Sequence, residues 1–196
     1  MFQDQQQQGG LSQSRAFLGW IVFIASAMSA SVEVFLHKPA TIGERYLGIQ
    51  AAAVLLIVPF CTLFWPEHDV TPLYLFLVAY LGMCLFIRIR GLLARRRGGP
   101  RVHTYYSGYP RAMRLFGRMG ERTVKLAIEP LIVLVIGALT LSVSEPLGAF
   151  LLVAGLAHSL TVNLSVGYEH RRVLDMHDAA IDQKDIVDQF RDLRGE

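Results

Sequence analysis

Glu33, Glu129 and His158 stand inside otherwise apolar stretches, together with the amide of Asn163. An ionisable side chain in an apolar run is expensive to keep there, so each is a functional candidate by default. Two carboxylates and an imidazole within reach of one another can pass protons or line a small polar cavity, and an amide adds a donor and an acceptor. Counting helical rise, Glu33 and Asn163 each lie about 17 residues from the same end of their runs, with His158 about one turn shallower. Glu129 lies near the opposite start of its own run, so all four are expected in one half of a bundle, with Arg88 and Arg90 near as counter-charges. The plainer reading makes the two glutamates interfacial and His158 a hydrogen-bonded packing residue. Glu129 before Pro130 also suits the first turn of a helix.

Other chemistry is poorly provided for. His170 and His177 are seven positions apart, whereas a compact helical metal pair places its ligands three or four apart, so no metal is expected. Cys61 and Cys84 fall in two apolar runs at depths roughly 10 Å apart, beyond the reach of a disulfide. The chain contains no phosphate-cradling glycine loop, nucleophile elbow, H-E-x-x-H pair or paired haem histidines, so no cofactor is expected and an enzyme is disfavoured.

The cations are concentrated. Residues 88–125 contain eleven basic residues and one acid, Glu121, for a net of +10. Arg95, Arg96, Arg97 and Arg101 lie in or beside a stretch rich in Gly, Pro and Tyr that reads as irregular. Arg111, Arg114, Arg118, Arg122 and Lys125 are spaced by three, four, four and three, which predicts one cationic face of a helix over residues 111–127. Leu115, Phe116, Met119, Thr123 and Leu126 take the other side, although Gly117 and Gly120 weaken the helix. Such a helix lies at a membrane surface with its cations toward anionic headgroups or a protein partner. Arginines interleaved with Tyr105, Tyr106 and Tyr109 also resemble a nonspecific phosphate-and-stacking surface. Nucleic acid is nevertheless not expected, because loop charge beside a membrane span already has a sufficient cause in topology.

The tail, residues 168–196, has five basic and eight acidic residues, a net of −3. Val173, Met176, Ala180, Val187 and Phe190 recur near heptad spacing, predicting an amphipathic helix with an interaction face. With Gln183 at a core position and four heptads or fewer, a partner surface is favoured over a self-sufficient coiled coil.

These groups must be positioned by helices in lipid. The 196 residues are 53% hydrophobic and 18% charged, with a mean hydropathy of +0.38, which excludes a water-soluble enzyme with its own core. Apolar stretches at 16–36, 47–65, 72–89, 126–143 and 147–166 each approach the length needed to cross a hydrocarbon core of about 30 Å. They show no period of two. The expected fold is therefore all-α, a polytopic bundle of about five transmembrane helices with a loop helix and a carboxyl-terminal helix. Its segments are a flexible external leader at 1–15, three spans within 16–90, a basic loop at 91–125, a helical hairpin at 126–166 turning at Ser144, Glu145 and Pro146, and the tail at 167–196. A cleavable signal peptide is the weaker reading of the first stretch, since its apolar character continues past Ala27. Small residues from Ala25 to Ser31 and from Gly148 to Ser159 predict close helix packing.

Positively charged loops stay in the cytoplasm, which puts the basic loop and tail inside and the amino terminus outside a bacterial-type inner membrane. The connections at 66–71 and 144–146 have acids and no Lys or Arg, as external turns should. Short outer loops and a long polar cytoplasmic side favour a scaffold or assembly subunit that binds lipids and recruits protein partners or further copies of itself. The alternative is a channel or transporter subunit using the intramembrane polar cluster, and a weaker one is an enzyme acting on lipid headgroups.

Overall fold

A computed structural model describes residues 2–43, 46–96 and 106–194; side chains are described from residue 16 onward within those ranges, apart from Arg95, Asp188, Asp192 and Leu193. All regular structure among the described residues is helical. The main elements are α1 (Phe2–Leu36), α2 (Ile49–Thr62), α3 (Thr71–Arg96), α4 (Glu121–Leu141) and α5 (Glu145–Arg194). Short 3-10 turns occupy Pro39–Thr41 and Arg111–Arg114. The chain divides into two compact units, Met1–Thr161 and Val162–Glu196, with the boundary inside α5.

Four helices are long and apolar enough to cross a membrane: Ala16–Leu36 of α1, Thr71–Ala94 of α3, α4, and α5. They fit a multi-pass membrane protein. The expected span at 47–65 differs from the rest, because α2 has only 14 residues, roughly 21 Å at helical rise. Gly48 precedes it, Pro59 lies within it, and the chain turns at Leu63–Trp65 before Pro66. α1 extends back to Phe2 and takes in most of the expected flexible leader, whose Gln-rich stretch is a fair helix former.

The loop helix expected over residues 111–127 is not formed. Arg111–Arg114 make a 3-10 turn, irregular turns come next, and α4 begins at Glu121 after an extended Gly120. Two glycines within four residues remove the local preference that the charge spacing implied. No packing replaces it, since Leu115 is 84% exposed and Phe116 and Met119 are also exposed.

In the first unit the core is built on small residues and interlocking aromatics. Ala27, Ala30 and Ser31 of α1 and Ala154 and Ala157 of α5 are buried. The rings of Phe35, Phe76 and Phe150 join α1, α3 and α5, with centroids 5.7 and 5.4 Å apart. Tyr80 is buried in α3, and its hydroxyl donates to the Ala51 carbonyl of α2 at 3.0 Å. The hairpin between α4 and α5 closes tightly: a Cβ on Gly137 would meet the backbone of Leu152 at 3.0 Å, and one on Gly148 would meet Leu141 N at 2.5 Å. In the second unit the described residues of the tail are helical, and Val173, Met176, Ala180, Val187 and Phe190 are all exposed.

Candidate functional site

Ser29, Glu33 and His37 recur every four residues, and because the His37 N–H still donates to the Glu33 carbonyl at 3.0 Å just past the end of α1, the three polar side chains follow one face into an otherwise apolar bundle. α4 supplies Glu129 and α5 supplies His158. All five are buried: Glu33 is 4% exposed, Ser29 2%, His37 1%, and Glu129 and His158 0%. Glu33 and Glu129 are thus enclosed by the protein's own side chains.

The side chains form one connected network across three helices. His158 Nδ1 lies 3.0 Å from Glu33 Oε1 and 2.9 Å from Ser29 Oγ. The Ser29 hydroxyl donates to the same Glu33 oxygen at 2.5 Å. The other imidazole nitrogen, His158 Nε2, faces Glu129 Oε2 at 3.8 Å, and that oxygen is 3.0 Å from His37 Nε2. Thr161 extends the network by donating to Ser29 Oγ at 3.0 Å. The order is therefore hydroxyl, carboxylate, imidazole, carboxylate, imidazole. Glu33 Oε2, Glu129 Oε1, His37 Nδ1 and His158 Nε2 are each buried without a hydrogen bond among the described residues.

Local structure aims Glu129 into this network. Residues Val124–Ile128 form a π-helical turn immediately before it. Such a turn adds a residue to the helical repeat and swings the next residues around the axis, and it is frequent at functional sites. Pro130 follows where the helix resumes its regular repeat.

The His37 end is covered by the segment leading out of the basic loop. Pro110 forms an isolated bridge with His37, Lys38 N donates to Tyr109 O at 2.9 Å, and Gly43 N donates to Tyr106 O at 2.8 Å. Arg111 Nε donates to the His37 carbonyl at 2.9 Å. Gly108 has φ +109°, a left-handed backbone that favours glycine, and a Cβ there would meet Ile42 Cγ1 at 2.8 Å and His37 Cβ at 3.0 Å. The absence of a side chain lets the strap lie directly on His37.

Among the residues singled out in the sequence, Glu33, Glu129 and His158 are brought together. Asn163 falls in the second unit and is described with it. Of the cationic residues, Arg111 caps the site through His37 O, and Lys125 pairs with Glu121 at 2.8 Å. Arg96, Arg114, Arg118 and Arg122 are exposed. Arg97, Arg101 and the side chain of Arg95 lie outside the described residues. His37 was missed by sequence reasoning because it comes after the apolar run instead of interrupting it. The four-residue spacing from Ser29 through Glu33 was the signal that pointed to it.

An imidazole can accept a proton on one nitrogen and release one from the other, and it is the side chain whose unperturbed titration lies nearest neutrality. Placed between two carboxylates, His158 can exchange a proton with Glu33 through the hydrogen bond at Nδ1, while Nε2 faces Glu129 at ion-pair distance, 3.8 Å away. No group of three or more His, Cys, Asp or Glu side chains among the described residues is arranged to hold a metal ion. Comparison of the chain with protein-family models, curated proteins and solved structures finds no match.

Proposed function

We propose that this chain is a multi-pass membrane subunit of a channel or transporter whose buried Glu33–His158–Glu129–His37 network binds and passes protons. The observation that carries this reading is the seat of His158, between carboxylates from two other helices and out of contact with water. A purely structural role explains it poorly, because apolar residues of similar volume usually serve stability as well as or better than buried ion pairs. The network runs from His37 to about the depth of Ser29, eight residues along α1, or roughly 12 Å. Around and beyond that depth α1 packs through buried Ala25, Ala27 and Met28. A proton site reached from one side suits a carrier or a partner-completed pathway better than an open pore.

The membrane is of the bacterial inner type in this reading, with the basic loop and tail cytoplasmic and the amino terminus outside. The His37 end of the network then faces the cytoplasm. The test is proton flux in vesicles containing the native assembly, extracted in mild detergent and driven by a potassium diffusion potential. Glu33→Gln and His158→Ala should each slow flux about tenfold or more. Wild-type rates in both variants would sink the proposal.

A second reading, an assembly subunit recruiting partners, is favoured by one feature of the second unit. Its apolar residues at Val173, Met176, Val187 and Phe190 lie exposed on a helix whose segment carries a net charge of −3. Single exposed apolar residues are ordinary, but a repeated set on one helix is the form of a helix-in-groove ligand. The two readings are compatible in one complex.

A further inference from the structure

Residues 112–120 run between two points fixed at the same edge of the apolar zone. At one end, Arg111 Nε donates at 2.9 Å to the carbonyl of His37, the residue after the apolar stretch Ala16–Leu36. At the other, Glu121 begins the apolar helix that ends at Leu141. The path between them is folded into consecutive turns: Leu115 N and Phe116 N both donate to Ala112 O, at 2.9 and 3.0 Å, and Met119 N donates to Phe116 O at 2.9 Å. In a membrane the segment therefore lies where two spans leave the hydrocarbon, at the level of the headgroups.

Its side chains suit that level. Leu115 is 84% exposed, and Phe116 and Met119 are exposed beside it. Arg114, Arg118 and Arg122 are interleaved with them and are exposed as well. None of these three arginines has an ion pair with another described residue. Residues 97–120 contain no acid at all. The acid that follows, Glu121, is already engaged, by Lys125 at 2.8 Å and by the Tyr106 hydroxyl.

We infer that residues 112–122 are a docking surface for the anionic phospholipids of the leaflet that the basic loop faces. Leu115, Phe116 and Met119 enter the boundary between headgroups and acyl chains, and Arg114, Arg118 and Arg122 donate to phosphate oxygens above them. A guanidinium can bury its aliphatic stem in that boundary while its charged end stays among the phosphates. The interface needs no helix, because the turns already hold cations and apolar groups together at one depth. Lipid is favoured over an acidic protein because it meets both requirements at the level where the spans hold the segment.

The inference rests on the multi-pass membrane reading and is independent of proton transfer. The reporter is Phe116→Trp in the full chain carrying Trp20→Phe and Trp65→Phe, reconstituted in phosphatidylcholine vesicles. A minor share of the lipid is brominated on its acyl chains, as phosphatidylglycerol in one set and phosphatidylcholine in the other. Both brominated lipids should quench the reporter, the phosphatidylglycerol more strongly. That preference should fall by up to about fivefold for each of Arg114→Gln and Arg118→Gln, and fade at high salt. Water-like emission that neither lipid quenches overturns the inference. Equal quenching by both lipids overturns the headgroup recognition, as does a preference that survives Arg114→Gln, Arg118→Gln and Arg122→Gln combined. A reporter shielded from water but unquenched, and returned to water by deleting residues 168–196, assigns the surface to the acidic tail of a second copy instead. Release of the chain from the vesicles by alkaline washing overturns the multi-pass reading itself.

Discussion

His37 Nε2 and Glu129 Oε2 meet at 3.0 Å although 92 positions separate them in the chain. Both are buried, and the same Glu129 oxygen faces His158 Nε2 at 3.8 Å. Removing Glu129 alone leaves His37 without its hydrogen-bond partner and His158 without the carboxylate it faces. Glu129→Leu should lower stability by about 3–5 kcal/mol. Adding His37→Leu in the same chain should recover part of that loss, giving a coupling of about 1 kcal/mol or more in a double-mutant cycle. Unfolding by denaturing detergent measures it, and strictly additive effects would show that the contact is energetically empty.

Gly108 tests the strap. Its φ of +109° and the absence of space for a Cβ against Ile42 and His37 make Gly108→Ala doubly unfavourable. The expected cost is about 1–3 kcal/mol. Hydrogen exchange should quicken first at the amides of Lys38 and Gly43, which donate to strap carbonyls. Unchanged exchange at both would mean that the strap is not what shields His37.

At the opposite end of the bundle, Gly148→Ala drives a methyl group into the Leu141 backbone, where its position would be 2.5 Å from N and 2.7 Å from Cα. Neither backbone can yield without opening the α4–α5 hairpin. A loss of about 1–3 kcal/mol is expected from overpacking. Gly82→Ala, with nothing within 4 Å of its Cβ position, is the control that should leave the thermal midpoint unchanged or raised.

The phenol of Tyr106 provides a pH signature. Its folded value is raised by burial and by Glu121, so the neutral form is favoured in the native state. The stabilisation is fully present below the unfolded value, near 10, and is lost as pH rises through the folded one. In an ultraviolet titration, Tyr106→Phe should remove one late-ionising phenol and make stability less sensitive to alkaline pH. A variant that instead loses an ordinary phenol, titrating near 10, would contradict the environment described.

Removal of residues 168–196 tests the assembly reading. The truncated chain should still insert, while the native particle in mild detergent should lose mass beyond the deleted segment. An unchanged set of co-purifying proteins would show that the exposed face of Val173, Met176, Val187 and Phe190 recruits nothing.

Much of this protein was legible in one dimension. Spacing and hydropathy identified the apolar segments, the basic loop and the helical tail, because helix length and amphipathic period are local properties written into consecutive residues. Glu33, Glu129 and His158 stood out for the same reason, as ionisable groups where hydrocarbon was expected. Charge spacing misled over residues 111–127, where Gly117 and Gly120 break the helix and Arg111 is drawn to His37 O. The 14 residues of α2 were likewise overestimated, since apolar character continues past the turn that ends the helix.

What the tertiary structure decided was partnership. A sequence shows which groups are costly to bury but not which of them share a hydrogen bond, because that depends on helix rotation and packing between segments distant in the chain. Small residues on α1 and α5 allow the approach that brings Ser29 to His158, the π turn rotates Glu129 toward them, and a glycine strap lays the loop over His37. Each is a contact between distant parts of the chain, and only folding sets it.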